Sequence, residues 1–185
     1  MLQKDHFIQD CIDNVAQGQG AIREIVQQAL CDCGNVINWF GEPAHAGINT
    51  LYRSRELTII NFVWAPYMSL MPHNHNMFAV IGIYAGREDN IFWRRTPDSI
   101  EAAGAKTLGP GEVATLGQDI IHSVFNPISK MTSALHVYGG DFFEPEEPRR
   151  EWDPETLTER PYDVEHARRL FREAEERFYA VANKA

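Results

Sequence analysis

The sequence predicts a mainly β protein, a double-stranded β-helix of the jelly-roll type with two N-terminal helices and a C-terminal helix. From Thr50 to Tyr138, short runs rich in Ile, Val, Phe and Thr follow one another, each bounded by Gly, Pro, Asn or Asp. No helical pattern interrupts these runs. Apolar residues at helical spacing occur before and after this region. A barrel of this kind encloses a ligand-sized cavity.

The predicted elements follow from local composition. The first two helices cover 5–16 and 21–31, separated by Gly18 and Gly20, and the glycine- and proline-bearing stretch 34–49 is predicted to be a loop. The last helix covers 164–181, with an apolar stripe of Phe171, Ala174, Phe178 and Val181. The predicted strands are 57–64, 68–70, 75–84, 90–95, 106–108, 112–116, 121–126 and 132–138.

Length and composition indicate a single globular domain over 1–185. Its parts are a helical N-terminal extension (1–49), a β-barrel core (50–140), and a wrapping segment with the C-terminal helix (141–185). The net charge of −9 disfavours a nucleic-acid role, because phosphate neutralisation needs clustered Lys and Arg. Small molecules are the expected partners. The sequence leaves open whether the protein is a monomer or a homo-oligomer.

A cytoplasmic location without membrane contact is expected. No run of 18 apolar residues exists, and the N-terminus lacks the apolar centre of a signal peptide. The three cysteines, Cys11, Cys31 and Cys33, are an odd number, and the last two are too close for an ordinary disulfide. Free thiols in a reducing compartment are therefore predicted.

Three histidines are candidate metal ligands. His73 and His75 lie in the segment Met-Pro-His-Asn-His, and residues at i and i+2 of an extended strand project from the same face. His122 follows His75 by 47 residues in a second strand-like run. Three imidazoles on one side of an ion leave its other positions free for substrate, so the pattern predicts a metal site that supports chemistry or ligand binding.

The spacing of these histidines resembles the two motifs of the cupin superfamily. The resemblance covers roughly 58–138 and includes a hydrophobic strand ending in Gly86, the Gly-Pro-Gly-Glu run at 109–112, and the H-x-x-x-N pair of His122 and Asn126. Asn126 is expected to cap a turn. The glutamate of the usual first motif is missing, because Ala79 and Val80 stand in its place. Three histidines without this glutamate resemble the cysteine dioxygenase type of thiol dioxygenase. That resemblance implies non-haem Fe(II), with Ni, Zn or Mn possible in a purified sample.

Further residues carry the same resemblance and imply roles. Leu51-Tyr52-Arg53 lies before the first long strand, as does the Tyr-x-Arg of that group, whose arginine holds the substrate carboxylate. Arg55 is a rival at the same strand parity, and an ion pair between Arg53 and Glu56 is the plain alternative. Trp64, nine residues before His73, and the aromatic Phe78 are expected to bind substrate.

His136 and Tyr138 resemble the catalytic S-x-H-x-Y relay of that group, with Ala134 in place of the serine. Thr132 or Ser133 is expected to substitute for it. No cysteine stands near Val80, so Tyr138 is expected to be an unmodified phenol.

The function expected from the resemblance is oxidation of a small carboxylate-bearing thiol, cysteine-like or a mercapto acid, to its sulfinate with O2. Two alternatives stay open. One is a three-histidine cupin dioxygenase that cleaves a carbon–carbon bond in a β-diketone-type substrate. The other is a cupin that binds a small molecule without catalysis. The residues alone do not choose the substrate.

Overall fold

The computed structural model describes residues 2–182. The helices in that range are α1 (Lys4–Asn14), α2 (Gln19–Ala29), α3 (Cys33–Phe40) and α4 (Val164–Ala182). The strands are β1 (Gly47–Arg53), β2 (Thr58–Trp64), β3 (Ser69–Asn74), β4 (Ala79–Ala85), β5 (Glu88–Arg95), β6 (Ile100–Leu108), β7 (Val113–Leu116), β8 (Ile121–Phe125), β9 (Thr132–Tyr138), β10 (Arg150–Trp152) and β11 (Glu159–Pro161).

The strands form two antiparallel sheets in jelly-roll order. One sheet has the order β1-β2-β9-β4-β7 and the other has the order β11-β10-β3-β8-β5-β6. Leaving out β1, β10 and β11, the eight remaining strands form two four-stranded sheets of order β2-β9-β4-β7 and β3-β8-β5-β6, which is the strand order of a jelly roll. The predicted double-stranded β-helix is therefore confirmed.

The central strands β2 and β9 are buried along their whole length because both of their faces are covered. On β2, Ile60 and Phe62 face the interior of the barrel, whereas Ile59 joins a second apolar cluster outside it. That outer cluster includes Phe7 of α1 and Val26 of α2. Since neighbouring residues of a strand point to opposite faces, a strand buried on both sides cannot show a polar alternation.

The N-terminal region departs from the prediction at one helix and one strand. The stretch predicted as a loop over 34–49 contains α3 and the start of β1. The carboxylate of Asp32 caps α3 by accepting a hydrogen bond from the Asn35 N–H at 3.0 Å. Val36 is buried in the outer cluster, so tertiary packing stabilises a helix in spite of the glycine in its first turn.

Helix α4 lies over one opening of the barrel. Ala167, Phe171 and Ala174 are buried in the inner cluster, and the Phe171 ring centroid lies 4.9 Å from that of Trp64. The side chain of Val181, the last member of the predicted stripe, lies outside the described residues. None of the helices in 2–182 is long and apolar enough to cross a membrane.

We predict that Gly82→Ala destabilises the protein by about 1–3 kcal/mol, because overpacking forces neighbouring groups to shift. A Cβ at Gly82 would lie 2.6 Å from Leu30 Cδ1 and 2.6 Å from Val26 Cγ1, where α2 packs on β4. Gly104→Ala is the matched control, since nothing lies within 4 Å of its added Cβ. Urea unfolding measures both variants. Equal midpoints would contradict the close packing of α2 on the sheet.

Candidate metal centre

The two sheet strands that carry His73 and His122 are hydrogen-bonded neighbours. His73 on β3 is paired in register with His122 on β8, after an irregularity between Leu70 and His73. Their ring centroids are 4.7 Å apart. His75 follows the end of β3, and its ring centroid lies 5.0 Å from each of the other two. The structure thus brings together the three histidines that the sequence predicts as ligands.

The ligand atoms of the three rings converge on one point. One nitrogen from each ring lies within 4.8 Å of those from the other two, and His75 Nε2 is 3.4 Å from His122 Nε2. Two nitrogens bound to one ion at about 2.1 Å, at angles of about 90–109°, stand roughly 3.0–3.4 Å apart. The group is therefore able to hold a metal ion, and the spacing fits one.

Hydrogen bonds fix two of the three rings in the tautomer that a metal requires. His73 Nδ1 lies 2.9 Å from the carbonyl oxygen of Met71, and His122 Nδ1 lies 2.8 Å from Asn90 Oδ1. Because both partners are acceptors, each Nδ1 carries the hydrogen and each Nε2 presents a lone pair. His75 Nδ1 is buried and has no hydrogen-bond partner within 2–182.

Burial keeps these imidazoles neutral. Desolvation lowers the pKa of His73 to about 4, and it lowers the pKa values of His75 and His122 well below the usual value. The neighbouring imidazoles lower the pKa values of His75 and His122 further, by charge repulsion. Protons therefore compete weakly with a metal at neutral pH.

A buried polar network surrounds the histidines. Tyr138 Oη lies 2.9 Å from His136 Nδ1, and His136 Nε2 faces Glu88 Oε2 at 3.8 Å. Glu88 Oε1 accepts a hydrogen bond of 2.9 Å from Asn90 Nδ2, and Asn90 also contacts His122. Tyr138 returns to the ligands, because its ring centroid lies 5.1 Å from that of His75. Burial raises the pKa of Tyr138 well above its usual value, so its phenol stays protonated.

The predicted substitutes for the relay serine lie elsewhere. The hydroxyl of Thr132 contacts the carbonyl oxygen of Arg87 at 2.9 Å and Asn126 Oδ1 at 3.0 Å. Ser133 has the opposite strand parity to His136, so it points to the other face of β9. Asn126 Oδ1 also accepts from the Ile128 N–H at 3.2 Å, which is the turn-capping role expected of it.

The structure does not bring either predicted arginine to the histidines. Arg53 donates to Asp141 at 2.9 Å and lies over the ring of Phe143, and Arg55 pairs with Glu146 at 2.6 Å on the surface. The plain alternative named Glu56 as the partner of Arg53, and the partner is Asp141 instead. Both carboxylates belong to the segment that follows Gly140. The pairing therefore depends on how this segment packs beside Arg53 and Arg55, which strand parity does not reveal.

Arg149 is the arginine near the site. It is 4% exposed, and its guanidinium carbon lies 4.0 Å from the ring centroid of Phe142 and 3.9 Å from that of Tyr162. Both rings line the cavity of the three histidines. Arg149 Nη1 is buried without a hydrogen-bond partner in the described chain. Burial lowers the pKa of Arg149, yet a guanidinium remains charged at neutral pH.

The cavity beside the histidines is small and closed. Its volume is about 10 Å³, roughly the space that one water molecule needs. Trp64, His136 and Tyr138 line it, as do Ala167 and Phe171 of α4. Trp64 Nε1 is buried and lacks a partner in 2–182, so its N–H is free to donate. Phe78 packs over Gly139 outside the barrel and is not a lining residue.

Sequence reasoning missed Glu88, Asn90 and Arg149. A signal for Glu88 and Asn90 exists, because these two polar residues share strand parity on β5 just after the Gly86 turn. Asp89 and Ile91, which have the opposite parity, are half-buried and exposed, respectively. Arg149 has no such signal, because it lies in a charged and proline-bearing stretch whose arginines otherwise resemble surface residues.

No family model matches the chain. An RmlC-like cupin family protein with a double-stranded β-helix fold from Methanocaldococcus jannaschii aligns with a TM-score of 0.47 and 12% identity, covering 56% of this chain and 87% of that one. A Cupin 2 conserved barrel domain protein from Salinispora arenicola aligns with a TM-score of 0.41 and 18% identity, covering 49% and 72%. An oxalate oxidase aligns with a TM-score of 0.39 and 12% identity, covering 46% and 42%. The strand order, rather than these likenesses, identifies the fold.

We predict that Asn90→Ala weakens metal binding by about tenfold to a hundredfold, the usual effect of removing the hydrogen-bond partner of a ligating histidine. Competition of the protein with a chelator for Co(II) measures the affinity. Asn61→Ala is the matched control, because Asn61 is also buried but accepts its hydrogen bond from Tyr84 on the outer face of the sheet. The interpretation fails if both variants bind Co(II) equally.

Proposed function

We propose that this protein is a metal-dependent dioxygenase that converts a small carboxylate-bearing thiol to its sulfinate with O2. The observation that carries the proposal is the convergence of three neutral histidine nitrogens at a buried cavity, with no carboxylate of residues 2–182 in the group. In the balanced reaction R–SH and O2 give R–SO2H, so sulfur is oxidised and both oxygen atoms are retained in the product.

Three neutral ligands suit an anionic substrate group. A ferrous ion bound by them would keep its double positive charge and open positions, and would lower the pKa of a thiol that coordinates there. A carboxylate ligand would cancel one unit of that charge. This chain places Ala79 and Val80 where such a carboxylate stands in other cupins, and β4 contributes buried apolar side chains there.

Two lining residues are suited to orient the substrate. The phenol of Tyr138 is held by His136, and its ring centroid lies 5.1 Å from that of His75, which supports a role in contacting a thiol bound at the histidines. Trp64 offers a buried indole N–H that lacks a protein acceptor in the described range. Both groups are therefore able to form a hydrogen bond to a polar ligand in the cavity.

The buried guanidinium of Arg149 favours a substrate that carries a carboxylate. A buried guanidinium with an unused donor is costly unless an anion pairs with it. Glu151 does not fill this role, because its carboxylate bonds to Arg160 at 2.7 Å and accepts from the Asp163 N–H. The two aromatic faces stabilise the charge through cation–π contact but leave Nη1 free for a carboxylate oxygen.

Substrate entry requires a movement of the groups that close the cavity. A volume of about 10 Å³ excludes any mercapto acid, and Phe142 and Tyr162 separate Arg149 from the cavity. Phe171 of α4 and Ile48 of β1 complete the closure. Binding therefore couples to a displacement of these side chains or of α4 itself.

A second candidate reaction is dioxygenation of a β-diketone-type substrate with carbon–carbon cleavage. The observation that favours it is the apolar lining contributed by Ile48, Phe62, Leu70, Val124, Phe142 and Phe171. An enolate would use the same positive charge at the metal. A carboxylate-free diketone would have no use for Arg149.

We expect the iron-loaded protein to consume oxygen with at least one thiol among cysteine, mercaptopropionate and mercaptosuccinate, with formation of the sulfinate. An oxygen electrode and mass spectrometry of the product measure this. His122→Ala should lose iron binding and oxygen uptake while its circular dichroism spectrum stays that of the wild type. Uptake with diketones alone would favour the second candidate. Inactivity with every thiol in an iron-replete sample would exclude the thiol reaction.

We predict that Arg149→Met raises the KM of a carboxylate-bearing thiol by about tenfold to a hundredfold, the equivalent of one charged hydrogen bond. A thiol of similar size without a carboxylate should be unaffected. Arg53→Met is the matched control, since Arg53 pairs with Asp141 outside the cavity. A larger effect of Arg53→Met than of Arg149→Met would assign the carboxylate to Arg53.

A further inference from the structure

A fully buried carboxyl group joins the histidine cluster to the His136–Tyr138 pair. Glu88 is 0% exposed, and its two oxygens face different partners. Oε1 bonds to Asn90, whose Oδ1 accepts from His122. Oε2 faces His136 Nε2 at 3.8 Å. The path from His122 to the phenol of Tyr138 therefore runs through Asn90, Glu88 and His136, with Glu88 at its centre.

The two atoms at the centre of this path have each other as their available partner. Glu88 Oε2 and His136 Nε2 are both buried, and neither has a hydrogen-bond partner among residues 2–182. Buried polar atoms are nearly always hydrogen-bonded, so an orphan donor and an orphan acceptor that face each other form one interaction. A small rotation of either side chain brings the two atoms within hydrogen-bond distance.

We infer that Glu88 is a positioning residue that fixes the tautomer of His136 and thereby the direction of the Tyr138 hydroxyl, while holding the ligand His122 through Asn90. A carboxylate oxygen accepts, so His136 carries its hydrogen on Nε2 and its Nδ1 is an acceptor. Tyr138 must then donate its hydrogen to Nδ1. The lone pairs of its oxygen consequently face the cavity.

Glu88 thus supplies the polar partner for His136 that Ala134 cannot offer. Ala134 and His136 share a face of β9, and an alanine offers no hydrogen bond to the imidazole. The carboxyl group arrives instead from β5, in the opposite sheet, across the interior of the barrel. The same side chain sets the tautomers of a metal ligand and of the relay, which a serine at position 134 would not do.

The amide variant Glu88→Gln reverses this arrangement. If its oxygen still accepts from Asn90 Nδ2, its NH2 group faces His136 Nε2, which must become an acceptor. The hydrogen of the imidazole then moves to Nδ1 and donates to the Tyr138 oxygen. The phenol hydrogen turns towards the cavity, while the shape and volume of the side chain are almost unchanged.

Nitrogen-15 NMR of metal-free protein with labelled histidine tests the inference, because the shifts of the two ring nitrogens distinguish the tautomers. The His136 signals are identified by their loss in His136→Asn. We expect the Nε2–H tautomer at His136 in the wild type and the Nδ1–H tautomer in Glu88→Gln. His73, whose Nδ1–H donates to Met71, should show the Nδ1–H form in both proteins and serves as an internal reference.

Asp89→Asn is the matched control, since it makes the same chemical change at the next position of β5, where the side chain pairs with Arg87 on the other face. It should leave His136 in the Nε2–H form. The Nδ1–H form in the wild type, or no difference between wild type and Glu88→Gln, would overturn the inference. The wild-type measurement decides even if Glu88→Gln fails to fold.

The catalytic consequence rests on the proposed function, whereas the tautomer does not. In an active enzyme Glu88→Gln should lower kcat by about tenfold to a hundredfold, the usual effect of changing a group that orients residues around a metal site, with little change in KM. If Glu88→Gln reverses the His136 tautomer but the wild-type protein oxidises no thiol, the role of Glu88 stands and the thiol reaction is rejected. If the tautomer does not change but the protein oxidises a thiol, the thiol reaction stands and the role of Glu88 is rejected.

Discussion

The pairing of β3 with β8 inside a closed barrel is the constraint on which the site depends. The register sets His73 opposite His122, and the chain beyond β3 turns His75 towards the same point. Because the three imidazoles are buried, desolvation keeps them neutral. A metal ion held by all three nitrogens would use their lone pairs at once.

Much of this could be predicted from the sequence because the relevant signals are local. The H-x-H spacing fixes two ligands on one strand end, and the apolar runs between turn residues fix most strands. The number and spacing of these strands indicate an all-β barrel or sandwich, and the resemblance of the histidine motifs to those of cupins indicates the jelly-roll order. The third N-terminal helix was missed because Gly34 and Gly41 resemble loop residues, whereas Val36 and its neighbours gain stability from packing against β4, which no local pattern reports.

The groups around the ligands could not be predicted in the same way. Arg53 has the expected sequence context, yet Asp141 lies close enough to hold it outside the cavity. Arg149 comes from a stretch with a surface composition and becomes buried only because Phe142 and Tyr162 stack on both of its faces. Glu88 reaches His136 from the opposite sheet. The contact of Arg53 with Asp141 joins residues 88 apart in the sequence, and that of Glu88 with His136 joins two sheets, so no local pattern reports either.

X-ray absorption spectroscopy of the iron-loaded protein tests most directly whether three histidine nitrogens bind one ion and leave its other positions open. We predict one iron per chain, three imidazole nitrogens at about 2.1 Å, and remaining scatterers that exchange with added thiol. A first shell without three imidazoles, or one completed by a protein carboxylate, would contradict it.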